Sequence, residues 1–394
     1  MKIYEIGTGY TPIPATMGAA TEIVVEELTK AFQKLGEAVQ IVDIAAECRA
    51  PSNLPIREVK VPGCFSGTDV QLGIMHKLKR VVYSVALAGE LTKILKQETE
   101  PVVLHFHNQY NLFFFLKLVP ASLRKKARIA YTNHSGIWRL EWEKIESIIQ
   151  KRYFQEAECM RKADVVFVLN EETKKNAMEH LGVSQERLVC IYNGVNTDTY
   201  CPLSRDEKQQ AKEKWGLQDR KVILQVGSVC ENKGQLRALQ CLLPLLRDDP
   251  DVTYVYAGGV VEEEYQKQIE AFAAKQGVTN QVRYLGMCLP GKALNEIYNV
   301  AMATLIMSRY EGFALVAVES LAAGVPVLVE EHGPVQLGGG SVRLRKDNLA
   351  TEVSNQIFIN GATYEQLCRE SRVTAVKNYS WEKIARDVLN QFSH

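Results

Sequence analysis

A chain of 394 residues, of which 46% are hydrophobic and 24% charged, is long enough for two globular domains. Its net charge of +1 gives no reason to expect nucleic acid or another polyanion as a partner. The nine cysteines include no C-x-x-C pair, which argues against a disulfide framework and against a zinc site.

The first 44 residues predict a strand, a helix and a second strand. Segments 2–7 and 39–44 are strand-like, and helical periodicity follows the loop at Gly18. This order favours a parallel, doubly wound sheet. Gly7 and Gly9 lack the third glycine of a dinucleotide fingerprint, so no nicotinamide site is expected. The N-terminus is not a cationic leader, and no apolar run reaches the length of a membrane span. We therefore expect a cytoplasmic protein.

Two predicted strands, 102–107 and 128–132, lead to histidines. His105 and His107 alternate as metal ligands can, but no third ligand stands nearby in the sequence. We expect these two side chains to line a cleft at the end of the strand. His134 follows the second strand, at the sheet edge where open α/β sheets bind ligands. The alternative is a structural histidine with satisfied hydrogen bonds.

Segment 111–128 allows two interpretations. Three consecutive phenylalanines cannot all face one core, and a series of basic residues follows (Lys117, Arg124, Lys125, Lys126, Arg128). The segment is either a helix on the sheet with a solvated basic end, or a peripheral contact with the inner membrane face. One long helix is then predicted over 142–162.

A tight turn at Asn193 and Gly194 and a polar segment at 204–214 mark the passage between domains. The predicted domains are 1–197 and 198–378, followed by a terminal amphipathic helix at 379–394. The second domain restarts the alternation of strands and helices at 221–227.

Lys233 begins a helix on the carboxyl side of the strand 221–227, where a cation can neutralise a diphosphate. A plain surface lysine is the alternative. Asp249 and Asp251 have the spacing of a metal-binding acid pair, but they precede a strand, so an exposed turn is predicted. No catalytic metal and no cofactor are expected.

The stretch 303–329 predicts a strand, a loop with Glu311, a helix with Glu319, a stop at Gly324 and a second strand. The helix N-terminus attracts anions, whereas the two acids accept hydrogen bonds from hydroxyls. This combination suits a nucleotide-sugar, which carries a diphosphate between two hydroxyl-bearing groups.

The string from Ala303 to Val329, with EGF at the turn and AAGVPVLV at its end, resembles the donor-site signature of glycosyltransferase family 4. The likeness continues at the Gly18 loop, at His134 after YTN, at Lys233, in IYNGVNTDTYCP and in the helix from Trp381. It implies the GT-B fold, with two Rossmann-like doubly wound domains facing across a cleft. The last helix would cross back to the first domain.

The resemblance also implies roles for the matching residues. His134 would orient the donor sugar, Glu311 would hold its hydroxyls and Glu319 would hold those of the ribose. The diphosphate would contact a group of backbone and side-chain sites (Gly18, Ser228, Lys233, Gly312, Phe313, Ala314, Leu315). The family usually has an arginine where this chain has Ser228, which leaves the phosphate site one charge short. Gln336 stands in place of a usual glutamate.

The implied reaction is retaining, metal-independent transfer of a hexose or N-acetylhexosamine from a UDP-linked donor. The acceptor would be a hydroxyl of a carbohydrate or a lipid-linked molecule, in polysaccharide, glycolipid or small-glycoside synthesis. Two alternatives remain open. A nucleotide-sugar epimerase of the same fold would need carboxylates in the first domain. A catalytically silent partner subunit would lack a key lysine or glutamate, and Ser228 keeps that alternative open.

Overall fold

The computed structural model describes residues 1–14, 20–65, 74–288, 290–311, 313–331 and 337–392. The chain divides into two compact units. Unit 1 combines Met1–Gly194 with Trp381–His394, and unit 2 is Val195–Ser380. Among the described helices, none is both long enough and apolar enough to cross a bilayer.

Unit 1 is built on a parallel sheet. Its strands are β1 (Lys2–Ile6), β2 (Val39–Ile44), β3 (Ile56–Val59), β4 (Val102–Phe106), β5 (Ala127–Asn133), β6 (Val165–Val168) and β7 (Leu188–Cys190). The seven strands are ordered β3-β2-β1-β4-β5-β6-β7. Because β1 has β2 on one side and β4 on the other, the winding direction reverses there, and ligands bind at such switch points.

Unit 2 repeats this plan with a six-stranded parallel sheet. Its strands are β8 (Lys221–Val226), β9 (Val252–Ala257), β10 (Val282–Tyr284), β11 (Ala303–Ile306), β12 (Val327–Glu330) and β13 (Ser341–Leu344). The order β10-β9-β8-β11-β12-β13 is the Rossmann order 3-2-1-4-5-6. Its switch point lies between β8 and β11.

Helices connect the strands of both sheets. In chain order they are α1 (Ala20–Lys34), α2 (Ile74–Gln97), α3 (Gln109–Leu118), α4 (Ala121–Arg124), α5 (Trp142–Arg152), α6 (Phe154–Lys162), α7 (Glu171–Leu181), α8 (Arg205–Lys214), α9 (Gln235–Asp248), α10 (Glu263–Gln276), α11 (Lys292–Val300), α12 (Leu315–Ala322), α13 (Leu349–Val353), α14 (Gly361–Tyr379) and α15 (Trp381–Phe392). The prediction of two parallel, doubly wound sheets is confirmed.

The single helix predicted over 142–162 is wrong. Two helices, α5 and α6, occupy this segment and meet at Tyr153, whose backbone (φ −121°, ψ 17°) is not helical. Periodicity alone could not show the break, because the apolar positions continue on both sides of it. The break matters for the site, since α6 carries Glu156 to the loop that holds His134.

The last helix belongs to unit 1. Its apolar residues, among them Ile384, Val388 and Phe392, are buried in one cluster with the sheet residues Ile3 and Val103. A methyl group added at Gly194 would come within 2.4 Å of the Trp381 ring, so the turn must be glycine for α15 to pack this closely. This arrangement confirms the predicted return of the last helix to the first domain.

Candidate active site

In unit 2, the loops that follow the neighbouring strands β8 and β11 are fastened together. The backbone N–H of Arg309 donates to the carbonyl oxygen of Asn232 at 2.9 Å. The Asn232 side chain accepts from the N–H of Tyr310 at 3.2 Å. The carboxyl edge of the sheet therefore brings the Lys233 loop and the Glu311 loop side by side.

Lys233 and Glu311 form an ion pair at this edge through Nζ and Oε1. Ser308 Oγ donates a second hydrogen bond to the same Glu311 oxygen at 2.7 Å. The side chains of the pair are 24% and 11% exposed, so solvent and a ligand can reach both groups. The predicted cation and acid thus occupy one site, separated by 78 residues in sequence.

A buried polar network holds the backbone of Lys233. Its carbonyl oxygen accepts from Gln225 Nε2 at 2.7 Å, and the Tyr254 hydroxyl donates to Gln225 Oε1, also at 2.7 Å. Gly234 then caps α9 with φ +76°, a left-handed conformation that side chains with a Cβ rarely adopt. The start of α9 is therefore fixed independently of any ligand.

Glu319 lies inside α12 and is partly buried. The Tyr298 hydroxyl donates to its Oε2 at 2.8 Å. Burial raises the pKa of Glu319, and the hydrogen bonds from Tyr298 and Tyr200 oppose that rise. The Tyr298 contact orients the carboxylate, and the Tyr200 hydroxyl is a second hydrogen-bond donor to it.

The remaining predicted donor residues occupy distinct places. Phe313, Ala314 and Leu315 lie where α12 begins, whereas Gly18 and Gly312 lie outside the described residues, as does Gln336. Ser228 is exposed, and its carbonyl oxygen accepts from Gln235 Nε2 at 2.9 Å. Asp249, at the turn before β9, pairs with Lys221 at 2.7 Å.

Arg237 is the next cation along α9, but its guanidinium is already engaged. Nη2 donates to the carbonyl oxygen of Met307, and Nη1 lies 3.8 Å from Glu330 Oε2. Arg237 is therefore held against the ends of β11 and β12.

In unit 1, five side chains form a continuous chain of hydrogen bonds at the switch point. Glu5 Oε1 contacts His105 Nδ1 at 2.8 Å, and Glu5 Oε2 contacts His107 Nε2 at 2.7 Å. His107 Nδ1 in turn lies 3.0 Å from His134 Nε2. His105 Nε2 is 2.7 Å from Thr132 Oγ1. Register explains the meeting, because Glu5 on β1 is paired directly with His105 on β4.

The expectation that His105 and His107 line a cleft is wrong. The two side chains are only 1% and 4% exposed, and a third group, Glu5, joins them from a strand that lies 100 residues away in sequence. Phe167 and Phe392 cover the His105 ring with edge contacts at 5.5 and 5.8 Å between ring centroids. Only His134 is partly exposed at the end of the chain of hydrogen bonds.

The ligand atoms of Glu5, His105 and His107 lie within 4.8 Å of one another, close enough to be considered as ligands of one metal ion. Two ligands of one tetrahedral zinc ion, each about 2.1 Å from it, would be about 3.4 Å apart. The contacts of 2.7 and 2.8 Å are shorter and match N–H···O hydrogen bonds to a carboxylate. These residues therefore fit a hydrogen-bonded triad and do not fit a zinc site.

The charges of this cluster follow from its contacts. Burial alone would raise the pKa of Glu5, but the charge on His105 and the hydrogen bonds from both histidines lower it to about 2. Burial and the nearby His105 lower the pKa of His107 to about 4. Burial and the two neighbouring histidines hold the pKa of His134 well below its usual value. Glu5 is thus an anion, and His107 and His134 are neutral near pH 7.

The sequence analysis did not identify three residues of the two sites. Glu5 stands in an otherwise apolar buried strand, and a charge there is itself a sign of a buried partner. Ser308 stands three positions before Glu311, where a turn hydroxyl can reach it. Nothing local to Tyr298 indicates that it contacts Glu319.

Two family models match the chain and together cover most of it. The model described as Glycosyltransferase Family 4 matches residues 21–199. The model described as Glycosyl transferases group 1 matches residues 207–336. The first match falls in unit 1 and the second in unit 2, apart from a few residues at the junction.

Individual proteins agree with these matches. The uncharacterized glycosyltransferase MJ1607 of Methanocaldococcus jannaschii is 27% identical over 58% of this chain, and the match spans 59% of its own length. Mannosylfructose-phosphate synthase of Agrobacterium fabrum is 24% identical over 78% of the chain and 66% of its own length. The crystal structure of Anabaena Alr3699/HepE in complex with UDP is similar to this chain, with a TM-score of 0.73. The alignment covers both chains in full, at 16% sequence identity. The chain has the GT-B fold and belongs to the family 4 type of glycosyltransferases.

Proposed function

We propose that the protein transfers a hexose or N-acetylhexosamine from a UDP-linked sugar to a hydroxyl acceptor, with retention at the anomeric carbon and without a metal ion. The observation that carries this proposal is the site at the switch point of unit 2. There Lys233, Glu311 and Ser308 meet at the end of β11, close to the start of α12.

The ion pair suggests how the donor binds. A diphosphate would compete with Glu311 for the Lys233 ammonium, and the released carboxylate would accept hydrogen bonds from sugar hydroxyls. Lys233 and the N-terminus of α12 would then stabilise the negative charge that grows on the leaving phosphate. Glu319, oriented by Tyr298, would accept from the ribose hydroxyls.

Similar proteins support the proposal of a UDP-linked donor. The HepE structure contains UDP, and another structure of the same protein contains UDP and glucose. One relative is named mannosylfructose-phosphate synthase and others are named D-inositol 3-phosphate glycosyltransferase, which is consistent with a hydroxyl acceptor. These likenesses support UDP and a hydroxyl acceptor as proposals for this chain.

The environment of Glu5 argues against one of the two routes to retention. A double displacement would need a carboxylate that attacks the sugar, but Glu5 is 0% exposed and lies behind His107. We therefore propose displacement on the face from which the leaving group departs, with His134 orienting the sugar. The same enclosure counts against the epimerase alternative, which needs carboxylates that reach the substrate.

The test is a panel of UDP-, GDP- and ADP-sugars, with product analysis for transfer, hydrolysis and isomerisation. The Lys233→Ala variant should lose roughly 100-fold or more in turnover, because a donor to the developing charge is removed. Glu319→Ala should weaken nucleotide binding by about 10-fold or more, because hydrogen bonds to a charged group are removed.

The matched controls are Lys221→Ala and Glu296→Ala. Lys221 pairs with Asp249 at the opposite end of β8, and Glu296 pairs with Lys214 on the surface. Both variants should retain activity. An isomerised product would establish the epimerase instead. A folded protein with no turnover on any donor would establish the silent subunit.

A further inference from the structure

We propose that Glu5 and His107 are positioning residues that hold His134 in the tautomer with its proton on Nε2. Nδ1 of His134 is then left as a hydrogen-bond acceptor for a donating hydroxyl of the substrate. The proposal rests on the proposed function. It states which group donates in the hydrogen bond between His134 and the sugar: the sugar hydroxyl donates and His134 accepts.

The first step is the carboxylate of Glu5. An ionised carboxylate only accepts hydrogen bonds, so each ring nitrogen that faces it must carry a proton. Glu5 Oε2 faces Nε2 of His107 at 2.7 Å. His107 therefore donates from Nε2.

The second step extends the constraint on the proton position from His107 to His134. A neutral imidazole has one N–H and one lone pair, so the lone pair of His107 is on Nδ1. Nδ1 of His107 faces Nε2 of His134 at 3.0 Å, and a hydrogen bond there requires the proton on His134. His134 thus keeps its lone pair on Nδ1. Within the described residues, that nitrogen has no hydrogen-bond partner.

The third step is the stability of the arrangement. His107 and Glu5 are 4% and 0% exposed, so water cannot replace either hydrogen bond. The other carboxylate oxygen is held by His105, whose far nitrogen is bonded to Thr132. Phe392 of α15 packs against the His105 ring and shields this end of the cluster. The burial that lowers the pKa of His134 also keeps its ring neutral.

The consequence for the substrate is specific. A lone pair on Nδ1 favours a hydroxyl that donates, whereas the opposite tautomer would present an N–H and favour an acceptor. Glu5 thereby acts on the sugar indirectly, through the imidazole rings of His107 and His134. Substitution of Glu5 should reduce kcat more than it changes KM, since it misdirects a contact and leaves the diphosphate site intact.

The test reads the tautomer directly. Histidine ring ¹⁵N–¹H correlation spectra of the full-length protein distinguish a protonated nitrogen from one with a lone pair, and the signal that disappears in His134→Gln identifies His134. We expect a proton on Nε2 of His134 in the unaltered protein. A proton on Nδ1 would overturn the proposal. So would a stoichiometric metal ion whose removal shifts the signals of His105 and His107.

The Glu5→Gln variant supplies the second readout. An amide offers one acceptor and one donor where the carboxylate offers two acceptors, so the constraint on His107 is lost. We expect a new Nδ1–H signal from His134 and a fall in kcat of at least about 10-fold. An unchanged His134 signal in this variant would contradict the proposal. If Glu5→Gln does not fold, the spectrum of the unaltered protein still decides the assignment.

The matched control is Asp43→Asn, which makes the same change at another buried carboxylate of unit 1. Asp43 accepts from the backbone of Ile13 and from Arg49 and is not linked to the histidines. It should leave the His134 tautomer unchanged. Absence of transfer from every donor would count against the proposed function, and the spectrum alone would then decide the tautomer.

Discussion

At the scale of single residues, Ser228 determines how much positive charge surrounds the proposed diphosphate site. Its hydroxyl is exposed on the loop that carries Lys233, and Arg237 is committed to the ends of β11 and β12. Lys233 is therefore the cation on which the proposed site depends. Its pairing with Glu311 also means that a diphosphate must compete with an acid for the Lys233 ammonium.

Ser228→Arg should restore the missing cation and tighten UDP binding by about 10-fold, because a hydrogen bond between charged groups contributes about 1.5–3 kcal/mol. Isothermal titration calorimetry with UDP measures the change. Ser228→Gln has a long polar side chain without charge and is the control. Equal affinity in the arginine variant and the glutamine variant would show that this position lies away from the phosphates.

A second residue, Glu156, makes stability depend on pH. Burial raises its pKa to about 7, against hydrogen bonds from Trp138, Asn133 and Ser135. The folded protein therefore holds a proton that the unfolded chain releases near pH 4.5. Stability falls as the pH rises between these values, by at most about 3 kcal/mol.

Glu156→Gln should remove this loss of stability at higher pH, because the amide stays neutral. The variant should resist urea better than the unaltered protein at pH 8 and about equally at pH 4.5, as followed by tryptophan fluorescence. Glu158→Gln, on the same helix but paired with Lys117 at the surface, is the control and should not alter the pH dependence. If the stability of Glu156→Gln falls with rising pH in parallel with that of the unaltered protein, the pH dependence does not come from Glu156.

At the scale of elements, the return of α15 to unit 1 closes one face of the first sheet. The helix buries Trp381, Ile384 and Phe392 against that face, and Phe392 reaches the ring of His105. The last helix of the chain thus takes part in sealing the histidine cluster. Its position depends on the close approach of Trp381 to Gly194.

Gly194→Ala should push α15 outwards, because the new methyl group would overlap the Trp381 ring. We expect a loss of about 1–3 kcal/mol in the free energy of unfolding, the usual effect of overpacking. Urea unfolding followed by fluorescence measures it. Gly89→Ala, on α2 with open space around the new methyl group, is the control and should be neutral or slightly stabilising. Equal midpoints for the two variants would refute the argument.

At the scale of the whole molecule, both units place their chemistry at the same topological position. The histidine cluster lies on and directly after the ends of β1, β4 and β5, and the Lys233–Glu311 pair follows β8 and β11. These are the points where each sheet reverses its winding. Adjacent loops diverge at such a point and leave room for a ligand, and the partly exposed His134 and the Lys233–Glu311 pair lie there.

Association with a membrane is a further property of the molecule that stays a prediction. Segment 111–128 forms α3 and α4, with Phe115 buried but Leu118 52% exposed. Lys125 and Lys126 are exposed beside it. Each basic residue close to an anionic bilayer contributes about 1 kcal/mol.

Replacing Lys125 and Lys126 by glutamine should therefore weaken binding to phosphatidylglycerol-containing vesicles by about 30-fold in a sedimentation assay. Zwitterionic vesicles should bind weakly in all cases. Replacing Lys174 and Lys175 on α7 removes the same charge elsewhere in unit 1 and is the control. Vesicle binding that both double variants retain would identify 111–128 as an ordinary helix with a solvated basic end.

The amino-acid sequence by itself determined the parallel α/β architecture, and its resemblance to glycosyltransferase family 4 supplied the return of the last helix and the candidate residues His134, Lys233, Glu311 and Glu319. Strand and helix periodicity are local, and the donor-site signature is contiguous, so one sequence suffices to read them. The helix break at Tyr153 shows the limit of prediction from local patterns, because the apolar spacing continues through the break and gives no sign of it.

Only the tertiary structure decided which of these groups meet. Glu5 and His105 are 100 residues apart, and Lys233 and Glu311 are 78 apart. Their contacts depend on the order and register of parallel strands, which local periodicity does not encode. The same reason explains why His105 and His107 were expected to line a cleft: nothing near them in the chain indicates the carboxylate and the aromatic rings that enclose them.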